Sequence, residues 1–322
     1  MVSRRDILIG TGLAGIAALA RPFTNVLASA AQPKTPVNFK VPAGACDCHT
    51  HIFGDPQKYP FASPRVYTPE TASVDEMRAL HRTLHTPRVV IVQPTVYGTD
   101  DACTIDAVKQ QLPNARGIIA LGEKNADADF DEMHRGGIRG IRINLETGGQ
   151  ADPEVARQRV KVAIERIKDR PWHIELYTRL SVIESIKDQV MASPVPISFD
   201  HFGGAQPERG LSQPGFDTLL KLVRGGKAYV DVSAPYRISK QSPDYPDVVP
   251  LAKAIIAANP ERITWGTGWP HPERAPGHAL TEISPLYQID DGRNLNLLAT
   301  WTSGPAQLKL ALVENPARLY GF

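Results

Sequence analysis

Short apolar runs alternate with longer amphipathic ones from residue 44 to the end of the chain. The apolar runs fall at 45–53, 88–93, 115–121, 140–145, 172–177, 196–201, 228–233 and 263–266. Each is short enough for a strand and apolar along its length, as a strand buried on both faces must be. Between them lie stretches of helical spacing at 74–85, 101–111, 127–135, 153–168, 181–191, 215–225 and 247–258, and helical segments follow at 284–301 and 305–314. Strands separated in this way by helices predict a single α/β domain, a (β/α)8 TIM barrel with extra C-terminal helices. An open doubly wound sheet is the competing arrangement. It calls for a glycine-rich phosphate loop after the first strand, and that place holds His49-Thr50-His51.

In a TIM barrel the chemistry sits at the C-terminal ends of the strands. The first predicted strand ends in His49 and His51, two apart and so on one side. The second runs into Thr95 and Tyr97, the fourth carries Arg142 and Asn144, and the fifth carries Glu175 and Tyr177. The sixth ends in Asp200 and His201, the seventh in Ser233 ahead of Tyr236 and Arg237, and the eighth in the stretch Thr267 to His271. A purely structural barrel has no need of such a polar rim, so the pattern predicts an enzyme. Alternation along the sixth strand predicts that Asp200 points away from the rim that His201 faces. His81 and His85, four apart on a helix, are expected on a packed or solvated face. Asp100 and Asp101 are expected to cap the second helix.

Charge and cysteine content narrow the class. With 36 Lys and Arg against 34 Asp and Glu and no run of like charge, a nucleic-acid partner is excluded. Cys46, Cys48 and Cys103 imply no disulfide framework. The first thirty residues read as a processing segment. Ser3-Arg4-Arg5-Asp6-Ile7-Leu8 is a twin-arginine pattern, residues 9–20 form a Gly/Ala-rich apolar run, and Ala28-Ser29-Ala30 offers a small-x-small cleavage site. The apolar run is too short to anchor in a bilayer. The expectation is a Tat signal over 1–30 and a mature barrel over 31–322. The protein would then be periplasmic, with the Tat export machinery as partner and no stable membrane association.

Three motifs carry a resemblance. Asp47-Cys48-His49-Thr50-His51, Phe199-Asp200-His201 with Gly203-Gly204, and Trp265-Gly266-Thr267-Gly268-Trp269-Pro270-His271 resemble strands one, six and eight of the amidohydrolase superfamily, in its amidohydrolase-2 branch. Asn315-Pro316-Ala317-Arg318-Leu319-Tyr320 is similar to that branch's closing segment. His51-Ile52-Phe53-Gly54, Lys58-Tyr59-Pro60-Phe61, the run Gly137 to Asn144, Trp172-His173 and Pro235-Tyr236-Arg237 resemble the 2-pyrone-4,6-dicarboxylate lactonases and related sugar-acid lactone hydrolases and isomerases. The resemblance implies a carboxylic ester hydrolase acting on a small lactone or carboxylate without a required metal. It implies that His49, His51 and His201 surround and polarise the lactone carbonyl. It assigns substrate binding to Tyr67, Thr95, Arg142, Tyr177 and Arg237, and His271 joins that set from the strand-eight motif. Independently, imidazoles and hydroxyls supply donors for an oxyanion, and arginine forks grip carboxylates.

Two departures redirect the expectation. The superfamily motif has an aspartate where this chain has Gly268, so its usual base is missing. Glu273, five residues on, is the candidate replacement base. A lactone isomerase with a histidine base, and a non-catalytic ligand-binding barrel, are the alternatives. Second, Leu145-Glu146-Thr147-Gly148-Gly149-Gln150 lacks the basic residue of the pyrone dicarboxylate lactonases, which points to a less charged lactone or cyclic ester. Where a Zn2+ or other divalent ion is bound, His49, His51 and His201 are its expected ligands.

Overall fold

The computed structural model describes residues 30–121, 127–147 and 152–322. The twin-arginine segment and Gly148 to Gln150 lie outside the described residues. Eight parallel strands follow one another round a single sheet in chain order: β1 (Cys46–Thr50), β2 (Arg88–Val92), β3 (Ala115–Ala120), β4 (Ile138–Asn144), β5 (His173–Tyr177), β6 (Ile197–Phe199), β7 (Ala228–Asp231) and β8 (Ile263–Thr264). The sheet closes where Cys48 N–H donates to Trp265 O at 2.9 Å, Gly268 N–H to His49 O at 2.8 Å and His51 N–H to Trp269 O at 2.8 Å. The helices between strands are α1 (Val74–Leu84), α2 (Ala102–Lys109), α3 (Asp127–Arg135), α4 (Pro153–Ile167), α5 (Leu180–Ala192), α6 (Phe216–Arg224) and α7 (Val249–Ala258), and α8 (Asp291–Trp301) follows β8. This is the (β/α)8 barrel that the hydrophobic pattern predicts.

The tail differs from its pattern. The helix expected from 284 starts at Asp291. Pro285 follows Ser284, and Ile283–Ser284 instead pairs in parallel with Thr68–Pro69 to form a small ribbon beside the barrel mouth. Among the described residues no helix is long and apolar enough to cross a membrane.

The first strand is pinned from outside. Asp47 is fully buried and accepts from Thr267 Oγ1 at 2.7 Å and Thr267 N–H at 2.9 Å, and its Oδ2 lies 3.1 Å from His81 Nε2 on α1. His81 is therefore a packed, paired histidine. The β1–β2 register shifts between Asp47 and Thr50. That bulge lets Asp47 face the helix layer while His49 and His51 face the interior. Glycines make room for the interior groups. A Cβ at Gly266 would lie 2.6 Å from His49 Cβ, and one at Gly140 would lie 2.7 Å from His173 O.

The far mouth is sealed by the C-terminal segment. Tyr320 and Leu319 pack with Cys46, Cys48, Val90 and Ile118, and Asn315 donates to Pro260 O and Ile263 O at 2.8 Å. All three cysteines are free and buried. Residues 30–42 lead from the strand-eight loop along α8 to the start of β1. Trp269 Nε1 donates to Ala31 O at 3.0 Å, Thr35 donates to Asp290, and Asn38 N–H donates to Asn296 Oδ1.

His173, at the start of β5, is fully buried with Nδ1 3.0 Å from Arg139 O, and burial lowers its pKa from 6.5 to about 4. The unfolded chain binds this proton from about pH 6.5 downward while the folded chain refuses it to about pH 4. Stability is therefore full above pH 6.5 and falls as the pH drops through that window. Thermal melts from pH 4.5 to pH 7 should show a rising midpoint, and His173→Gln should flatten the rise; an unchanged slope contradicts the assignment.

Candidate active site

The interior residues at the C-terminal mouth build the site. His49 is buried between β5 and β7, with Nδ1 3.5 Å from Asp231 Oδ2 and 3.9 Å from Glu175 Oε1. Neither of its ring nitrogens has a hydrogen-bond partner. Its ring lies 5.1 Å from that of His51 and 4.7 Å from that of His201. The expected convergence of the three imidazoles is present.

The tautomers follow from the partners. His51 Nδ1 sits 2.7 Å from Val92 O, and a carbonyl only accepts, so Nδ1 carries the proton and Nε2 carries the lone pair. His201 Nδ1 lies 2.8 Å from Ser233 Oγ. Where Ser233 donates, His201 is left with an Nε2–H. Burial holds the His49 imidazolium well below its usual range, reinforced by His201, His51 and Arg142. Burial and Arg142 do the same to His51; burial, Arg237 and Arg142 do it to His201. All three rings are neutral at neutral pH.

Three carboxyl groups share this space. Burial raises Asp231 to about 8, and it raises Asp200 to about 6 against the pull of Arg142. Burial, with Asp200 adjoining, pushes Glu175 well above the usual carboxylate range. Arg142 reaches in from β4, donating to Gln93 O at 3.1 Å and to Asp200 Oδ2 at 3.3 Å, with Nε 3.8 Å from Glu175 Oε1. It also lies 5.9 Å over the Tyr177 ring, and Tyr177 meets His201 edge-on at 5.0 Å.

Asp200 does not point away as alternation predicts. The strand ends at Phe199, and His201 takes a left-handed backbone with φ 46°, so alternation breaks and both side chains enter the barrel. Asp231 did not stand out in the chain, although a step of two back from Ser233 places it on the same inner side.

The rim residues divide. Tyr67 is buried, and burial raises its phenol to about 12. Thr95 is half-buried and 3.5 Å from Asn144 Nδ2. Arg142, Thr95 and Asn144 line a cleft of about 850 Å3 against α4, at the side of the histidine cluster. Arg237 donates to Pro272 O at 3.2 Å and lies 3.3 Å from Glu273 Oε2. The Glu273 side chain is 49% exposed and its other oxygen accepts from Arg274 N–H at 3.4 Å. As placed, Glu273 serves Arg237 at the mouth. His271 is fully buried, and both its ring nitrogens are engaged, Nε2 2.9 Å from Asp291 Oδ2 and Nδ1 3.3 Å from Tyr236 Oη.

The metal-ligand set changes in one member. His49, Asp200 and His201 offer donor atoms within 4.8 Å of one another. His51, tied to Val92 O, stands beside this group, and Asp200 takes its place. Unpartnered buried donors on His49 and Asp200 suit a divalent ion with nitrogen and oxygen ligands.

The amidohydrolase family model matches residues 46–322, and the chain belongs to that family of hydrolases. It is 33% identical over 289 residues to the 4-sulfomuconolactone hydrolase of Hydrogenophaga intermedia, covering 89% of this chain and 91% of that one. It is 33% identical over 299 residues to a 2-pyrone-4,6-dicarboxylate hydrolase of Comamonas testosteroni, covering 90% and 94%. Its fold superposes with a TM-score of 0.72 on the crystal structure of a protein described as a 2-pyrone-4,6-dicarboxylic acid hydrolase from Pseudomonas putida, at 28% identity over 87% of this chain and 98% of that one.

Proposed function

We propose that the protein hydrolyses a lactone or cyclic ester bearing an anionic group, and that it is exported to the periplasm. The observation that carries the catalytic reading is the group of three neutral, buried imidazoles flanked by Arg142 at the barrel mouth. The names of its relatives point the same way.

In this reading Arg142 and Arg237 draw in and orient the anionic group, with Tyr67, Thr95 and Tyr177 as walls. The carbonyl lies over His49, His51 and His201. His201 Nε2–H donates to the carbonyl oxygen as negative charge develops there. Neutral His51 holds an acceptor, not a donor, toward the same space. Asp231 and Glu175, both held toward their protonated forms by burial, stand 3.5 Å and 3.9 Å from His49 Nδ1 and leave its ring nitrogens free for a ligand. A divalent ion, when bound, would be held by His49, Asp200 and His201 and would supply Lewis-acid polarisation of the carbonyl.

Arg179, a cation beside the strand-four loop, is paired with Glu146, with Nε 2.9 Å from Oε2. That favours a substrate with fewer carboxylates than the pyrone dicarboxylate. Gly268 is the observation that favours the second reading, a lactone isomerase. A panel of lactones with zero, one and two anionic groups, followed by acid release, tests the first reading. Ring opening fastest on singly charged lactones supports it; no ring opening on any member removes it.

The exchange Glu273→Gln should leave kcat within about threefold of wild type, since a half-exposed pair is worth about 1 kcal/mol or less. KM for an anionic lactone should fall as Arg237 is released. A thousandfold loss in kcat would instead make Glu273 the base. Export rests on the twin-arginine pattern; Arg4→Lys with Arg5→Lys should hold the protein in the cytoplasm, and unchanged fractionation contradicts it.

A further inference from the structure

Gly268 stands where the family motif has its carboxylate, with a left-handed backbone at φ 76°. A Cβ at this position would lie 3.0 Å from Ala234 Cβ and 3.1 Å from Tyr236 Oη. The phenol oxygen of Tyr236 thus lies next to the point from which a side chain on residue 268 would extend. The backbone bond from Gly268 N–H to His49 O sets this point against the end of β1 that carries His49 and His51.

The phenol is backed by a chain of groups. Tyr236 Oη lies 3.3 Å from His271 Nδ1, His271 Nε2 lies 2.9 Å from Asp291 Oδ2, and Asn294 Nδ2 donates to Asp291 Oδ1 at 3.3 Å. His271 and Asp291 are both fully buried, while Tyr236 is partly exposed. A carboxylate only accepts, so His271 is protonated at Nε2 and presents a lone pair to the tyrosine hydroxyl. A buried carboxylate and imidazole contribute little to stability for their cost in desolvation. Here they are aimed, through a hydroxyl, at the one position where the family's base is missing. The Arg237 guanidinium lies 5.4 Å over the Tyr236 ring and favours negative charge on it.

We propose that Tyr236, backed by His271 and Asp291, accepts the proton of the attacking water in place of the missing carboxylate at 268. This rests on the lactone-hydrolase reading. Water gives one proton to the Tyr236 oxygen as the Tyr236 hydroxyl proton passes to His271 Nδ1, and the hydroxide so formed adds to the carbonyl carbon. The intermediate collapses with cleavage of the ring C–O bond. The departing alkoxide takes a proton from Tyr236, which is refilled from His271. The enzyme returns to its starting state, and the product is the hydroxy acid. Burial keeps the phenol of Tyr236 above its ordinary range, so the two transfers proceed together with no free phenolate.

The test uses the full-length mature protein with 4-sulfomuconolactone and 2-pyrone-4,6-dicarboxylate as probes, together with the most reactive lactone of the panel. Tyr236→Phe should lower kcat by about two to three orders of magnitude with KM changed less than about threefold. Adding Gly268→Asp to Tyr236→Phe, which clears the phenol oxygen from the new side chain, should recover about tenfold or more of the lost rate. A 3,5-difluorotyrosine at 236 keeps the shape but ionises at lower pH, and it should move a limb of the pH–rate profile to lower pH. A merely packing tyrosine would do neither. If Tyr236→Phe stays within about threefold of wild type in kcat, the proposal is overturned while the lactonase reading stands. If the wild type opens no lactone, both fall.

Discussion

The exchange His51→Asn lowers kcat/KM for lactone ring opening by about two to three orders of magnitude, a loss of the size seen when one preorganised group of a reacting centre is removed. The reason is positional. The bond from His51 Nδ1 to Val92 O at 2.7 Å fixes the ring plane and the tautomer, so Nε2 presents its lone pair to the pocket. Asparagine can keep a polar contact to Val92 O, but it is too short to place an acceptor where Nε2 stood. The barrel should remain folded, because one neutral hydrogen bond contributes only about 1 kcal/mol. Steady-state kinetics beside a thermal melt checks this. A variant within about threefold of wild type would make His51 a packing residue.

The exchange Arg142→Met strikes both stability and activity. Arg142 is the buried cation that Asp200 and Glu175 face, at 3.3 Å and 3.8 Å. Removing one partner of a buried charged network costs about 3–5 kcal/mol, because the remaining charge is left uncompensated. Here the acids can relieve part of that cost by staying protonated, since burial already raises both. The loss of stability should therefore be smaller at pH 5 than at pH 8. Activity on an anionic lactone should fall below detection at either pH. Denaturant melts at the two pH values test this, and equal destabilisation at both would contradict the relief of the buried acids by protonation.

The barrel was legible in the sequence because its strands are buried on both faces, which leaves uninterrupted apolar runs that no amphipathic helix imitates. Their ends were less so. The first run extends to Phe53 in the pattern, but the ladder stops at Thr50, because the bulge and the turn toward Phe53 follow from pairing with β2 and Ala72. The helix expected at 284 starts seven residues later, because Ser284 is claimed by Pro69, more than two hundred residues away.

The site divides along the same line. His49, His51, His201, Arg142 and Tyr177 were found by reading strand ends, and they meet. Asp200 faces inward against the alternation of its strand, because alternation holds only while the strand lasts and the backbone turns left-handed at His201. Glu273 is near in sequence to the missing carboxylate but lies against Arg237 in space. The chain Tyr236, His271 and Asp291 joins three separate segments. No local pattern links them, and only the three-dimensional structure brings the phenol within 3.1 Å of where a side chain on residue 268 would start.

In the proposed reaction, water adds to the carbonyl carbon of a bound lactone. Turnover of the panel's most reactive lactone in heavy-oxygen water, followed by mass spectrometry of the product, tests it most directly. The account predicts a hydroxy acid carrying one heavy oxygen, located in the carboxylate. A rearranged lactone free of label would make the protein an isomerase, and recovery of unchanged lactone would make it a binding barrel; either result contradicts the account.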